Sequence, residues 1–342
     1  MKTFLLSTSG RSRGRNVRAA ARLIQLGKLV AFPTETVYGL GANAYDTRAV
    51  REIFRVKGRP PDNPLIVHVS SLQQVWGLVR TIPIMFRILA ERFMPGPLTV
   101  VLWKSPTVPP IVTAGLPTVA IRIPDHPVAR ALLMYADVPV VAPSANLSGR
   151  PSPTKAMHVK EDLDGKIAAI LDGGACKIGV ESTVLDLTRK SPIILRPGGI
   201  TKEALEDVLG IRVRLAPSTR RRPSSPGMKY KHYAPKADVV LFEGERRSVL
   251  RSMKGTLLRM TARGRRVGVM GEEDARPSFR KARFFSLGTE GALSAARRVF
   301  SGFRALDRRR VDVILCQGFP EKLLGSALMN RLRKAAARRI RV

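Results

Sequence analysis

Apolar residues recur along this 342-residue chain in two rhythms. In the first two thirds, short apolar runs alternate with polar turns and a few amphipathic stretches. Val17, Ala20, Ala21 and Ile24 fall at helical spacing, and Gly27 is placed to stop that helix. The same reading predicts helices over 49–56, 75–79, 84–93, 128–135 and 201–209, the last capped by Thr201. It predicts strands over 29–32, 65–69, 98–103, 119–123, 138–141, 167–171, 182–187 and 193–195. Strands outnumber helices and often adjoin, so a mixed, twisted sheet with helices packed on it is expected, not a strict β-α-β repeat. After residue 236 the alternation becomes regular. Strands over 239–242, 267–270, 284–287 and 311–316 are separated by helices over 248–258 and 292–306, and a basic helix over 325–340 closes the chain. This is the pattern of a small parallel-sheet, Rossmann-like α/β domain.

The stretch between the two patterns has no periodicity. It is rich in Pro, Ser and basic residues and reads as a linker. The expected division is 1–212, a linker over 213–236, and 237–342. Tyr230, His232 and Tyr233 are costly choices for an inert tether, and a linker that docks over a site would use them.

Composition narrows the classes. A 44% hydrophobic and 25% charged chain fits a soluble globular protein. No apolar run approaches the roughly 20 residues of a membrane span, and the first residues are too short a run for a secretory signal, so a cytoplasmic protein is expected. Cys176 and Cys316 lie far apart and form neither a metal motif nor a disulfide framework. With four histidines, no metal cage built from protein side chains is expected. The net charge is +34, and residues 211–342 hold 33 of the 60 basic but 10 of the 26 acidic residues. Such a field favours polyanions such as RNA. It also fits an arginine-rich thermophile surface, so contact with tRNA stays open.

Three clusters carry the candidate chemistry. Lys57-Gly58-Arg59-Pro60-Pro61-Asp62-Asn63-Pro64 sets two cations on a stiff segment before an apolar run, a preorganised anion site. Pro143-Ser144-Ala145-Asn146-Leu147-Ser148-Gly149 supplies hydroxyls and an amide after another apolar run. Pro33-Thr34-Glu35-Thr36-Val37-Tyr38 adds hydroxyls, a carboxylate and a phenol. Together they suggest a phosphate-handling pocket. Gly39-Leu40-Gly41-Ala42-Asn43-Ala44 matches the loose dinucleotide fingerprint, but the preceding strand ends at Phe32, which is the wrong context. No P-loop, nucleophile elbow or Ser-His-Asp pattern is visible.

These clusters occur in order with Pro95-Gly96-Pro97-Leu98-Thr99, Val119-Ala120-Ile121-Arg122-Ile123-Pro124, Glu181-Ser182-Thr183-Val184 and Leu195-Arg196-Pro197-Gly198-Gly199. The series resembles the YrdC/TsaC family of threonylcarbamoyl-AMP synthases. The C-terminal domain and the Ser225–Pro235 stretch resemble its longer, two-domain form. The resemblance implies an N-terminal YrdC-like sheet domain and a reaction of L-threonine, bicarbonate and ATP. The products would be L-threonylcarbamoyladenylate and pyrophosphate, for modification of tRNA adenosine 37 by a downstream tRNA threonylcarbamoyl transferase complex.

Residue by residue, it implies that Thr36, His68, Arg122, Ala142 and Ser182 hold threonine, with Arg122 pairing the carboxylate. Lys57 and Arg59 would hold the triphosphate with Asn63 nearby, and Ser144 and Asn146 would complete the reacting centre. Thr118, Ser152 and Arg196 would contact the nucleotide. Tyr230 and Tyr233 would close the site over the labile anhydride. Mg²⁺ would be carried on the phosphates. Two other readings stand beside this one: a YrdC-like enzyme making a carbamoyladenylate from carbamoyl phosphate, and a non-catalytic RNA-binding module.

Overall fold

The computed structural model describes residues 2–217 and 233–342, which fall into two compact units. Tyr230 and His232 lie outside the described residues. The first unit comprises Met1–Ser148, Pro153–Lys177 and Glu181–Tyr230; the second comprises Gly149–Ser152, Ile178–Val180 and Lys231–Val342. The second unit thus takes up two short pieces that no reading of the linear sequence assigned to it.

The first unit is built on an 11-stranded sheet. Its strands are β1 (Phe4–Ser7), β2 (Val30–Phe32), β3 (Gly39–Asn43), β4 (Ile66–His68), β5 (Leu98–Trp103), β6 (Thr118–Arg122), β7 (Val140–Val141), β8 (Ala169–Asp172), β9 (Thr183–Asp186), β10 (Ile193–Arg196) and β11 (Arg214–Leu215). They run in the order β1-β8-β2-β3-β7-β4-β6-β5-β9-β10-β11, mixing parallel and antiparallel neighbours. Strands β4 and β7, and β5 up to its exposed last residue Trp103, are buried, so they read as mostly apolar runs rather than as alternation.

One face packs the main core. On the other, helices Arg13–Gln25 and Pro127–Ala136 cover the half around Val30, Phe32, Val140 and Ala142. Beyond them the same face continues across β4, β6 and β5, with His68, Arg122 and Thr118 set among the apolar Ile66, Ala120 and Val101.

Two elements differ from expectation here. The glycine-rich Gly39–Asn43, outside every expected strand, is a strand, so the loose dinucleotide match has no turn into a helix. Its glycines make room for a ring: a Cβ on Gly41 would lie 2.9 Å from Phe32 Cε1 and 3.1 Å from Val140 Cγ1. In addition, β11 pairs with β10 inside the range read as linker, and Val213 is buried in the core.

The second unit carries an all-parallel sheet of β12 (Asp238–Glu243), β13 (Val267–Gly271), β14 (Arg283–Ser286), β15 (Val313–Gln317) and β16 (Arg338–Arg341), ordered β14-β13-β15-β12-β16. The closing helix stops at Ala335, and the arginine-rich tail after it pairs with β12 as a fifth strand instead of continuing the helix. Tyr233 stacks on Phe300 with ring centroids 5.4 Å apart, and the fully buried Arg331 guanidinium lies 5.5 Å from the Tyr233 ring. Both cysteines are buried, and burial pushes each thiol up to about 12. No helix among the described residues is long and apolar enough to cross a membrane.

Candidate active site

The cationic cluster is a helix end. Helix Thr47–Lys57 starts at Asp46, whose carboxylate accepts the Arg48 and Ala49 N–H groups at 2.9 and 3.1 Å. It ends at Gly58, which takes the left-handed conformation (φ 59°) that glycine adopts without strain. The chain reverses there, and Arg59 N–H bonds back to Phe54 O at 2.9 Å. Lys57 and Arg59 thus sit where the helix dipole favours positive charge.

Lys57 does not face an open pocket. It is buried, and its Nζ donates to the carbonyls of Ser144 and Asn146, each at 2.5 Å. The Lys57 carbonyl in turn accepts Ser148 N–H at 2.8 Å. One residue therefore clasps the Ser144–Ser148 loop from both ends of its own length. Burial, and then the Arg59 charge, pushes the Lys57 amine down to about 7. Arg59 Nη2 donates to the carbonyls of Asn63 and Pro64 at 2.8 and 3.2 Å, which curls the proline-locked turn around the guanidinium. The Asn63 side chain is buried with neither amide atom bonded among the described residues.

The Ser144 loop is also held by the sheet edge. Leu40 N–H bonds to Pro143 O at 2.7 Å and Ala145 N–H to Tyr38 O at 2.8 Å. Ala142 N–H bonds to Ile66 O at 3.0 Å, which places Ala142 beside β4.

Strand register brings the other polar residues together. His68 faces Arg122 across the parallel β4–β6 pair and Val140 across the antiparallel β4–β7 pair. Cross-strand partners share a face of the sheet. His68 packs edge-on against Phe32 at 6.2 Å, and burial, then the Arg122 charge, pushes it down to about 3, so the ring is neutral at any working pH. Its Nδ1 has no partner among the described residues. Arg122 is buried and bonds Glu35 Oε1 at 2.6 Å and Gly96 O at 3.3 Å. Glu35 Oε2 accepts the Asp125 N–H at 3.1 Å. At the next strands Ser182 Oγ shares a hydrogen bond with Thr99 Oγ1 at 2.7 Å, and Arg196 donates to Ser182 O and Oγ at 3.0 and 3.2 Å. Thr36 is buried in a turn organised by Thr34 Oγ1, which accepts the Thr36 and Val37 N–H groups. Thr118 stands half-buried at the far end of β6.

Thus Thr36, Lys57, Arg59, Asn63, His68, Thr118, Arg122, Ala142, Ser144, Asn146, Ser182 and Arg196 all belong to the first unit, whereas Ser152 and Tyr233 belong to the second. Among the described residues no group of three or more His, Cys, Asp or Glu would hold a metal ion.

Residues 22–198 match the family model described as "Telomere recombination", and residues 200–337 match that of the "Threonylcarbamoyl-AMP synthase, C-terminal domain". The threonylcarbamoyl-AMP synthase of Pyrococcus abyssi is 49% identical over 342 residues, covering 99% of both chains. That of Bacillus subtilis is 48% identical, covering 95% of this chain and 94% of its own. The chain belongs to the threonylcarbamoyl-AMP synthase family. The crystal structure of P. abyssi Sua5 complexed with L-threonine superposes with a TM-score of 0.94 at 48% identity, over 99% of this chain and all of that one.

One pairing at this synthase-family site escaped the sequence reading. The resemblance pairs Arg122 with a substrate carboxylate. The protein supplies one of its own, Glu35. The signal was present: a single carboxylate within the otherwise neutral Pro33–Leu40 segment.

Proposed function

We propose that this chain makes L-threonylcarbamoyladenylate and pyrophosphate from L-threonine, bicarbonate and ATP, supplying the threonylcarbamoyl modification of tRNA adenosine 37. The observation that carries the reading is that the buried Asn63 amide and His68 Nδ1 have no hydrogen-bond partner among the described residues, in a chain similar end to end to synthases of this name. A buried polar group without a partner costs about 1–3 kcal/mol, which a bound substrate removes.

Threonine lies at the His68–Arg122–Ser182 end. Arg122, held in plane by Glu35 and Gly96 O, presents its remaining N–H edge to the substrate carboxylate. Neutral His68 and the Thr36 and Ser182 hydroxyls fix the amine and side chain. The amine nitrogen forms a bond to the bicarbonate carbon, water leaves, and a carbamate results. A carbamate oxygen then forms a bond to the α-phosphorus while the bond to the β-phosphate oxygen breaks and pyrophosphate departs. No side-chain nucleophile is required, so rate enhancement comes from alignment and charge stabilisation.

Arg59, Asn63 and the Ser144–Asn146 loop receive the triphosphate, and Lys57 keeps that loop in shape. Thr118 and Arg196 take the nucleoside side. ATP would enter as its Mg²⁺ complex, the ion carried on the phosphates and offsetting their charge.

The test is pyrophosphate release from MgATP, with threonine and bicarbonate supplied together or singly. Release that needs both is expected. Release with carbamoyl phosphate and without threonine would replace this reading with carbamoyladenylate synthesis.

A further inference from the structure

Trp103 is the last residue of β5 and stands 43% exposed. A lone exposed tryptophan would need no explanation. Here the register places it: Trp103 is the cross-strand partner of Thr118, just as Val101 is of Ala120. Partners directly opposite on an antiparallel pair have their side chains on the same face, with Cβ atoms about 5 Å apart. Along β6 that face carries Arg122, then Ala120, then Thr118. The four-residue step from Arg122 to Thr118 spans about 13 Å.

Between these ends lies a small apolar cluster separate from the main core: Ile66, Val101, Ala120, Val184, Ile193 and Leu195. The face therefore runs from a charged pair, across an apolar floor, to a hydroxyl beside a large aromatic ring. A threonylcarbamoyladenylate likewise carries a free carboxylate at one end and its purine base at the other.

We infer that Trp103 is the surface on which the purine ring of the nucleotide stacks. The inference rests on the reading that this chain uses ATP, with Thr118 on its nucleoside side. Base–aromatic stacking needs an exposed π-face and tolerates any purine. The exposed ring at the end of the floor supplies that face, and a purine laid on it directs its phosphates back toward the Ser144 loop. The specificity expected is for the ring system, with ATP and GTP separated only by groups at the purine edge.

The chain holds two tryptophans, so replacing Trp76, which is 67% exposed on helix Leu72–Trp76, by phenylalanine leaves Trp103 as the sole indole reporter. In W76F, ATP and AMP should each change Trp103 emission to saturation, and inorganic tripolyphosphate should not. W103A should raise KM for ATP about ten-fold, leave KM for threonine within about two-fold, and be largely rescued by W103F. ATP bound by equilibrium dialysis without a change in Trp103 emission would overturn the inference, as would a wild-type KM for ATP in W103A. A wild-type protein that binds no ATP would overturn both this inference and the synthase reading.

Discussion

Replacing Lys57 by methionine separates two roles that a cation in this position can have. A direct phosphate ligand would leave the unliganded protein indifferent to the change. A clasp would not. The wild-type amine satisfies two carbonyls, and its loss leaves Ser144 O and Asn146 O without that donor, at about 1–3 kcal/mol each. Part of that loss is offset because the variant no longer buries an amine.

The offset depends on pH, and the sign is fixed by the depressed pKa. Between the folded value of about 7 and the ordinary 10.5, the unfolded chain holds more protons on this group than the folded one. Wild-type stability from Lys57 is therefore complete above 10.5 and is lost as pH falls toward 7, at up to about 1.4 kcal/mol per pH unit. A neutral amine keeps two N–H donors, enough for both carbonyls.

Lys57→Met should accordingly be less stable than wild type by a few kcal/mol, and the deficit should grow by about 2 kcal/mol between pH 7 and 9. Urea unfolding followed by tryptophan emission measures this, since Trp76 and Trp103 both lie in the first unit. A variant as stable as wild type at both pH values, yet unable to bind ATP, would refute the clasp and return Lys57 to the phosphates.

Glu35→Ala should cost about 3–5 kcal/mol because it strands a buried guanidinium, whereas Glu35→Gln, which keeps a hydrogen-bond acceptor, should fold and show a raised KM for threonine with KM for ATP little changed. Steady-state kinetics with both substrates varied checks this, and equal shifts in both constants would contradict it. Gly41→Ala should lower stability by about 1–3 kcal/mol, because the new methyl meets the Phe32 ring at 2.9 Å and Val30 O at 3.2 Å, read as a drop in the urea midpoint with the fold retained.

Much of the fold was legible because its elements obey simple periods. Helix Ile84–Phe93 and strand Leu98–Trp103 match the expected limits residue for residue. Thr201 caps its helix by accepting the Ala204 N–H at 3.2 Å, as its position suggested. The misreadings have physical reasons. Gly39–Asn43 has the composition of a turn, and its glycines reveal their purpose only when Phe32 lies against them. Residues 336–341 have no helix breaker, so the basic run extends a helical pattern that ends where β12 offers an unpaired edge. The short apolar stretch of helix Ala156–Leu163 was too brief to register.

Within the site, residue types and order were readable because the motifs are dense in unusual residues. Directions were not. That Lys57 turns toward two carbonyls, and that Arg122 meets Glu35, follows from how loops distant in sequence converge, which spacing along one chain does not encode.

Strand β16 forms one margin of the second sheet with the sequence Arg338-Arg339-Ile340-Arg341. An open margin of a parallel sheet is a template for further strands, including that of another copy of the same chain. Three guanidinium groups in four positions make two such margins repel, so stacking of copies through this edge is disfavoured at low ionic strength and unmasked as salt shortens the reach of the charges. The arginines that closed the chain in an apparent helix thus serve as a fence on the rim of a sheet.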